Sequence, residues 1–431
     1  MNKILDTQYM HPRDQITLII ERIYKRRLTT TSGGNISIID ENGDIWITPS
    51  AVDKGSLKPS DIVCVRKNGT IEGKHKPSSE YPFHKSIYES RNDIKSIIHA
   101  HPPALVSFSI VRQIPNTNIF PQAKYACGEV GYATYEVPGS YALGKRIADE
   151  FKKGFTSVIM ENHGTVVGGI DIADTFQRFE TLEFTARTIL YANQIGTPHF
   201  LTEEQIQFYN TNSHADFPEL KNAEYLPDEQ EMRAEICGIV KRACDQGLMI
   251  SSYGTVSARW KGNDFLITPT ELSRWDYHLN DIVQIKDGKC EAGKKPSRSA
   301  ILHYEIYKNN PDINSVIITQ TPYLMAFGVT NKEFNVRTIP ESWIFLQDVH
   351  SLSFESLITD TENIAKGFAK NRAVIISNNY FIVTGNKLLQ TFDYLEVAEF
   401  SAKSLVMGAS LGNMVPINDA QVEDLRKAFL N

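Results

Sequence analysis

Nowhere in the 431-residue sequence is there an apolar run approaching the ~18 residues that a membrane-crossing helix needs. Cysteine is sparse. Cys64, Cys127, Cys237, Cys244 and Cys290 are scattered, odd in number and contain no Cys-x-x-Cys pair, so they read as free thiols of a reducing compartment. Basic charge is not in excess: 45 Lys and Arg face 51 Asp and Glu, a net charge of −6. That argues against nucleic acid as the main ligand while leaving room for a local pocket that takes a phosphate. The stretch from Met1 to Arg13 is polar and carries no apolar signal segment. The remainder, 41% hydrophobic and 22% charged, is ordinary for a soluble globular chain. A cytoplasmic enzyme, acting on neither membrane nor nucleic acid, is the expectation.

Against that background one stretch stands out, Ile98-His99-Ala100-His101-Pro102. Histidines at i and i+2 of a strand point to the same face, so both imidazoles can reach one ion. Alone, the pair would be two polar strand residues. Its company is Glu80, upstream, and His163, in Glu161-Asn162-His163-Gly164. Three neutral imidazoles and a carboxylate commonly hold zinc or a similar divalent ion.

The second half of the chain is a degraded copy of the first. Residues 157–186 match 373–402 at a constant offset of 216 with eleven identities, among them Asn162/Asn378, Thr175/Thr391, Phe176/Phe392, Glu180/Glu396 and Phe184/Phe400. At an offset of 219, Pro77/Pro296, Ser78/Ser297, His84/His303, Tyr88/Tyr307 and Asp93/Asp312 pair; at 220, residues 32–37 pair with 252–257. The period is too long for a solenoid and suits a duplicated domain. Through the same offsets Glu80 becomes Ser299, His99 becomes Ile318, His101 becomes Gln320 and His163 becomes Asn379. All four go together while packing residues persist, as expected if only the first copy performs their chemistry. His84 survives as His303 in the copy without the set, and so reads as structural rather than as a ligand.

Ile16, Ile19, Ile20 and Ile23 form one stripe of a helix over residues 14–27. Strands are expected at 36–39, 44–48, 61–66, 94–101, 157–160 and 165–167, and helices over 82–90, from Pro102-Pro103 onward, and over 172–194. Strands and helices without regular alternation indicate an α/β fold, a largely antiparallel sheet with helices on its faces. The domain division expected is 1–200, a linker with local structure over 201–229, and 230–431, where the second copy opens with a helix from Met232 to Gln246.

Five motifs in order, Ser32-Gly33-Gly34-Asn35, Thr48-Pro49-Ser50, Pro77-Ser78-Ser79-Glu80, His99-Ala100-His101-Pro102 and Glu161-Asn162-His163-Gly164, resemble the class II aldolase/adducin family, and its fuculose-phosphate aldolase branch in particular. The resemblance runs over residues 14–195 and returns in degraded form across 230–410. It implies an α-β-α layered domain with a central, mainly antiparallel sheet, present twice. It also implies a zinc enzyme acting on phosphorylated ketoses, with sites often at subunit contacts of a ring-like tetramer.

Carried over residue by residue, the resemblance makes His99, His101 and His163 ligands of Zn2+ or another divalent metal. Each must be neutral to bind, so affinity should fall below pH ~6.5. Glu80 becomes the proton carrier, and an additional ligand when substrate is absent. The family's epimerases carry Asp there, so Glu favours an aldolase. Gly34, Asn35, Ser50, Ser78 and Ser79 become the phosphate pocket, although such clusters also make ordinary turns. Ala51 stands where the branch usually shows glycine, and Tyr125 corresponds loosely to the family's tyrosine proton donor. The function implied is retro-aldol cleavage of a phosphorylated ketose to dihydroxyacetone phosphate and an aldehyde. The alternatives are epimerisation, decarboxylation or dehydration of a phosphorylated sugar or sugar acid at the same metal, or a non-enzymatic adducin-like scaffold. With one copy inactive, one metal per chain is expected, and two tandem chains forming a four-domain pseudo-tetramer.

Overall fold

The stripe of Ile16, Ile19, Ile20 and Ile23 is at most 1% exposed and lies on helix α1 (Pro12–Lys25), which packs against the first strand of a sheet. The computed structural model describes residues 9–212, 215–221, 225–330 and 332–430. It divides into two units, Met1–Thr117 with Gln122–Arg187, and Asn118–Pro121 with Thr188–Asn431. No helix among the described residues is long and apolar enough to cross a membrane.

Among the described residues the first sheet has eight strands: β1 (Asn35–Ile39), β2 (Ile45–Ile47), β3 (Val63–Val65), β4 (Ile71–Glu72), β5 (Ser96–Ala100), β6 (Gly131–Ala133), β7 (Ser157–Met160) and β8 (Gly164–Gly169). Their spatial order is β4-β3-β2-β1-β5-β8-β7-β6, antiparallel except for β6 and β7. All five residues of the central strand β5 are buried. Ile97 faces a cluster made with Phe83, Ile87 and Tyr88 of α2 (Tyr81–Ser90). Ile98 points to the opposite face and is equally buried. A strand buried on both sides needs a helical cover on both, which is the α-β-α arrangement. The remaining helices are α3 (Pro103–Ile110), α4 (Pro121–Cys127), α5 (Tyr141–Lys152) and α6 (Ile172–Ile195). Leu143, Ile147 and Phe151 of α5 join the Ile97 cluster. The helices expected over 14–27, 82–90 and 172–194 differ from these by at most two residues at either end. The strand expected over 61–66 shortens to β3, because Pro59–Asp61 forms a single tight helical turn instead.

The second sheet contains β9 (Glu219–Leu220), β10 (Thr255–Lys261), β11 (Asp264–Ile267), β12 (Val283–Lys286), β13 (Lys289–Glu291), β14 (Ser315–Thr319), β15 (Val349–Leu352), β16 (Ala373–Ile376) and β17 (Tyr380–Gly385). Read from one edge, β13-β12-β11-β10-β14-β17-β16-β15 repeats the order of the first sheet, down to the one parallel pair at its end, and β9 adds a parallel strand beside β13. The stretch 201–229 supplies β9 and a helix, Glu203–Asn212; residues 213–214 and 222–224 lie outside the described residues.

Candidate metal centre

His99 shares the inner face of β5 with Ile97 and stands edge-on to Phe83, with 5.6 Å between ring centroids. It is wholly buried, and its Nδ1 lies 2.9 Å from the carbonyl oxygen of Thr165 on the neighbouring strand β8. A carbonyl only accepts, so Nδ1 carries the hydrogen and Nε2 keeps its lone pair.

His101 follows one residue after β5 ends, held between two glycines. A Cβ on Gly33 would come within 3.0 Å of His101 Nδ1, and one on Gly164 within 2.7 Å of Cδ2 and 2.6 Å of the Ala100 carbonyl. Only glycine permits that approach. His163 sits in the turn joining β7 to β8, after Asn162, whose φ of 54° is left-handed; Asn378, at the equivalent turn, has φ 52°. Asparagine tolerates this conformation better than most residues, which explains the shared Asn162/Asn378.

The ring centroids of His99, His101 and His163 are separated by 4.7 to 5.0 Å, and one nitrogen from each lies within 4.8 Å of the others. Glu80 stands at the start of α2, but its carboxylate turns inward rather than capping the helix. Oε2 is 3.1 Å from His99 Nε2, and Oε1 is 3.5 Å from His163 Nε2. Asn35 Nδ2 donates to Oε2 at 2.7 Å. His99 Nε2, His101 Nε2, His163 Nδ1 and Glu80 Oε1 are all buried without a hydrogen-bond partner. Four orphaned polar atoms in one place are costly unless something compensates them. An ion would do so, and the set of imidazole nitrogens with a carboxylate is one that could hold a divalent metal.

Burial lowers His101 to about 3 and His163 to about 4, with the neighbouring His99 adding to both, so these two imidazoles are neutral near pH 7. Burial also works to lower His99, but the Glu80 carboxylate beside it prevails and raises it. For Glu80, burial would raise the carboxyl; the imidazoles of His99 and His163 and the Asn35 amide outweigh it and hold the group well below the usual range. The carboxylate is therefore ionised.

The residues expected to take a phosphate lie on adjoining loops, joined where Pro49 bridges Pro77. Gly34 has φ 72°, and a Cβ there would approach the His99 carbonyl to 2.8 Å. Ser50 is half-buried, Ser78 buried and Ser79 exposed; Ser78 Oγ accepts from the Glu80 amide at 3.3 Å. Asn35 differs from the rest. Its amide is engaged at both ends, by Glu80 and by His84. Ala51 adopts φ 56°, left-handed as a glycine would be, so the loop keeps that shape without glycine. Tyr125 is 77% exposed on α4.

Several contributors have no motif of their own: the Thr165 carbonyl, the Asn35–His84 contact and Glu183. Buried Glu183 on α6 accepts the amide of Leu105 at the start of α3, directly after His101-Pro102, and burial raises its carboxyl to about 7. Glu399 likewise accepts the amides of Tyr323 and Leu324 in the second unit. The identity Glu183/Glu399 was the available signal for this cap.

The family model for the class II aldolase and adducin N-terminal domain matches residues 14–190 and again 234–406. The chain belongs to the class II aldolase and adducin family. Among curated relatives, it is similar to a 5-deoxy-D-ribulose 1-phosphate aldolase of Bacillus thuringiensis, 32% identical over 45% of this chain and 92% of the relative. It is similar to an L-fuculose phosphate aldolase of Methanocaldococcus jannaschii, 33% identical over 41% of this chain and 95% of the relative. It is also similar to a 3-oxo-tetronate 4-phosphate decarboxylase of Haemophilus influenzae, 28% identical over 43% of this chain and 89% of the relative. Each is thus matched over nearly its whole length by less than half of this double chain. Within this family member, the second unit carries Ser299, Ile318, Gln320 and Asn379 where the first has its carboxylate and histidines. It also carries Tyr253 and Tyr380 where Gly33 and Gly164 flank His101.

Proposed function

We propose that the first unit is a zinc-dependent carbon–carbon lyase that cleaves a phosphorylated ketose to dihydroxyacetone phosphate and an aldehyde. The observation that carries this reading is the convergence of His99, His101 and His163 on one point beside an ionised Glu80, each offering a buried atom without a partner. His99, His101 and His163 would hold the zinc, which would supply a Lewis acid for a substrate oxyanion. Glu80 moves the proton at Oε1, the oxygen left free while Oε2 is held by Asn35. The hydroxyls of Ser50, Ser78 and Ser79, with Gly34 leaving space, receive the phosphate. The aldolases among the relatives support the reaction class.

The test is to load the protein with zinc and assay L-fuculose 1-phosphate and 5-deoxy-D-ribulose 1-phosphate for release of dihydroxyacetone phosphate, with and without a chelator. Release that stops on chelation is expected; no release from any ketose 1-phosphate in a broad panel removes the reading. A second reading, decarboxylation of a phosphorylated sugar acid, is favoured by the decarboxylase relative and would appear as carbon dioxide without an aldehyde product. We further infer one metal per chain and two chains assembling as four family domains. Metal analysis paired with light scattering tests this: two zinc ions per chain, or a fully active monomer, would refute it. We also infer a cytoplasmic setting, the reading that scattered cysteines with no Cys-x-x-Cys pair favour.

A further inference from the structure

The two units agree in polar structure that serves the fold. Ser37 joins His84 and Tyr88 as Ser257 joins His303 and Tyr307, through serine hydroxyl contacts of 2.6 to 2.7 Å. The backbone of the turn that carries His163 agrees as well. The Glu161 amide donates to the Ala133 carbonyl, the Asn162 amide to that of Ser109 and the His163 amide to that of Met160. In the second unit the Ser377 amide donates to the Leu352 carbonyl, the Asn378 amide to that of Gly328 and the Asn379 amide to that of Ile376. Three bonds repeat three bonds, so the turn itself needs nothing that the second unit lacks.

The side chains around the turn differ. Glu161, its side chain 11% exposed, accepts the Tyr135 amide on Oε2 at 3.0 Å and Arg112 Nε on Oε1 at 2.7 Å. One carboxylate thereby ties the His163 turn to the chain just beyond β6 and to the chain just beyond α3. Arg112 makes its tie from a left-handed backbone, φ 56°, which an arginine does not favour by itself. The second unit makes neither tie. Ser377 carries no carboxylate, and Phe354, at the place of Tyr135, packs with Leu201, Ile206 and Tyr209 instead. There the Asn378 side chain donates to the carbonyls of Ile119 and His199.

We infer that Glu161 is a positioning residue for the metal: clamped to Tyr135 and Arg112, it holds the turn so that the His163 imidazole stays within reach of those of His99 and His101. His163 is the ligand most in need of such support. His99 stands on the central strand and His101 one residue beyond it, whereas His163 stands on the turn between β7 and β8. A ligand has to be held within ~0.5 Å of its productive place, and turns hold side chains less firmly than strands do. The clamp is absent from the second unit together with the ligands, while the backbone bonds of the turn remain. That is the behaviour of a group that serves the ligand and not the fold. The inference rests on the ligand set proposed above.

The test measures the zinc affinity of the full chain by competition with a chromophoric chelator and needs no substrate. Glu161→Ser installs the residue that the second unit already accommodates. It should weaken zinc by about 10- to 100-fold, the usual cost of losing an outer support of a metal ligand. The melting temperature of the metal-free chain should stay within about 3 °C of native. Arg112→Ala should cost less than Glu161→Ser, because the guanidinium is exposed and its pairing screened. In a His163→Ala background, Glu161→Ser should change zinc affinity by less than about twofold, because it acts through His163. The inference is overturned by a loss below about threefold in Glu161→Ser, by a larger loss in Arg112→Ala, or by a loss undiminished without His163. A metal-free Glu161→Ser chain melting more than about 3 °C lower would make Glu161 a residue of the fold, and would overturn it too. Should His163→Ala keep native affinity, the ligand set itself fails; should it bind too weakly to compare, the paired substitution has no readout. In either case a crystal structure of metal-free Glu161→Ser decides. There the His163 ring should have left its place 5.0 Å from the His101 ring; a ring still in that place overturns the clamp.

Discussion

The two units set a natural comparison within one molecule. Their strand orders coincide, their buried serine–histidine–tyrosine trios coincide, and a glutamate on the long helix caps the helix after β5 in one and after β14 in the other. The candidate site residues do not coincide: Glu80 stands against Ser299, His99 against Ile318, His101 against Gln320, His163 against Asn379. Even the space differs, since Gly33 and Gly164, which let His101 approach, are both tyrosines in the second unit. The fold is thus held by one set of residues and the site by another. The second set has been removed without disturbing the first.

If that separation holds, removing a site residue from the first unit should cost function and leave the fold. The largest effect is expected from His101→Ala. It should lower zinc affinity by more than the ~10–100-fold typical of outer-shell changes and abolish turnover, while circular dichroism and the melting profile stay near those of the native chain. Full zinc occupancy in this variant would remove His101 from the ligand set.

Glu80→Gln comes next. The amide keeps the shape and cannot carry the proton, so kcat should fall by about 10²–10⁴-fold with zinc retained. A kcat within about threefold of native would take Glu80 out of acid–base work.

Acid should destabilise both units of the metal-free chain through their shared histidine. Burial holds His84 and His303 each at about 3, whereas the unfolded chain protonates them near ~6.5. Between those values the unfolded state binds more protons, so stability is lost as pH falls below ~6.5, by about 1.4 kcal/mol per pH unit for each such histidine. His101 and His163 act in the same direction in the first unit. His99, raised by Glu80, acts oppositely: its contribution is present at low pH and is lost as pH rises through its folded value. Glu80, held low, gives up its contribution only in stronger acid. Denaturation midpoints measured from pH 7 to 5 should fall, and a flat profile would refute the neutral burial of the pair.

The smallest effect tests a shared backbone feature. Ala51 and its counterpart Glu271 both have positive φ, 56° and 64°. Relieving that strain with Ala51→Gly, less the entropy that glycine loses on folding, should stabilise by at most about 1 kcal/mol. A loss of more than about 1 kcal/mol would show that the Ala51 methyl contributes packing instead.

Much of this architecture is legible in the sequence. Ile16, Ile19, Ile20 and Ile23 announce α1 by spacing, and the His-x-His of β5 announces the centre, sharpened by its loss in the second copy. Helix α5 is also readable, through Leu143, Ile147, Ala148 and Phe151 behind the Ser140 cap, although no expectation covered it. The three-residue strand β6, by contrast, is too short for an alternating pattern to register. The candidate ligands could be gathered because chemistry restricts metal sites to few residue types. The direction of the Asn35 amide could not be, because a side chain with both a donor and an acceptor acquires its role only from what the register sets opposite it. Gly33 and Gly164 fall between: their replacement by tyrosine is visible in the alignment of the halves, and its meaning only in the distance to His101.

The site's residues come from distant points of the chain: the end of one turn at Glu80, the centre of the sheet at His99, and a second turn at His163. None of them meets another until β1, β5 and β8 have paired side by side. Such long-range closures are among the slower events of folding, because the loops between must be ordered before any contact rewards them. On an unfolded chain a metal therefore finds at most the neighbouring pair His99 and His101, without His163 or Glu80. It acts as a latch on a finished sheet, slowing escape from the folded state far more than it hastens arrival.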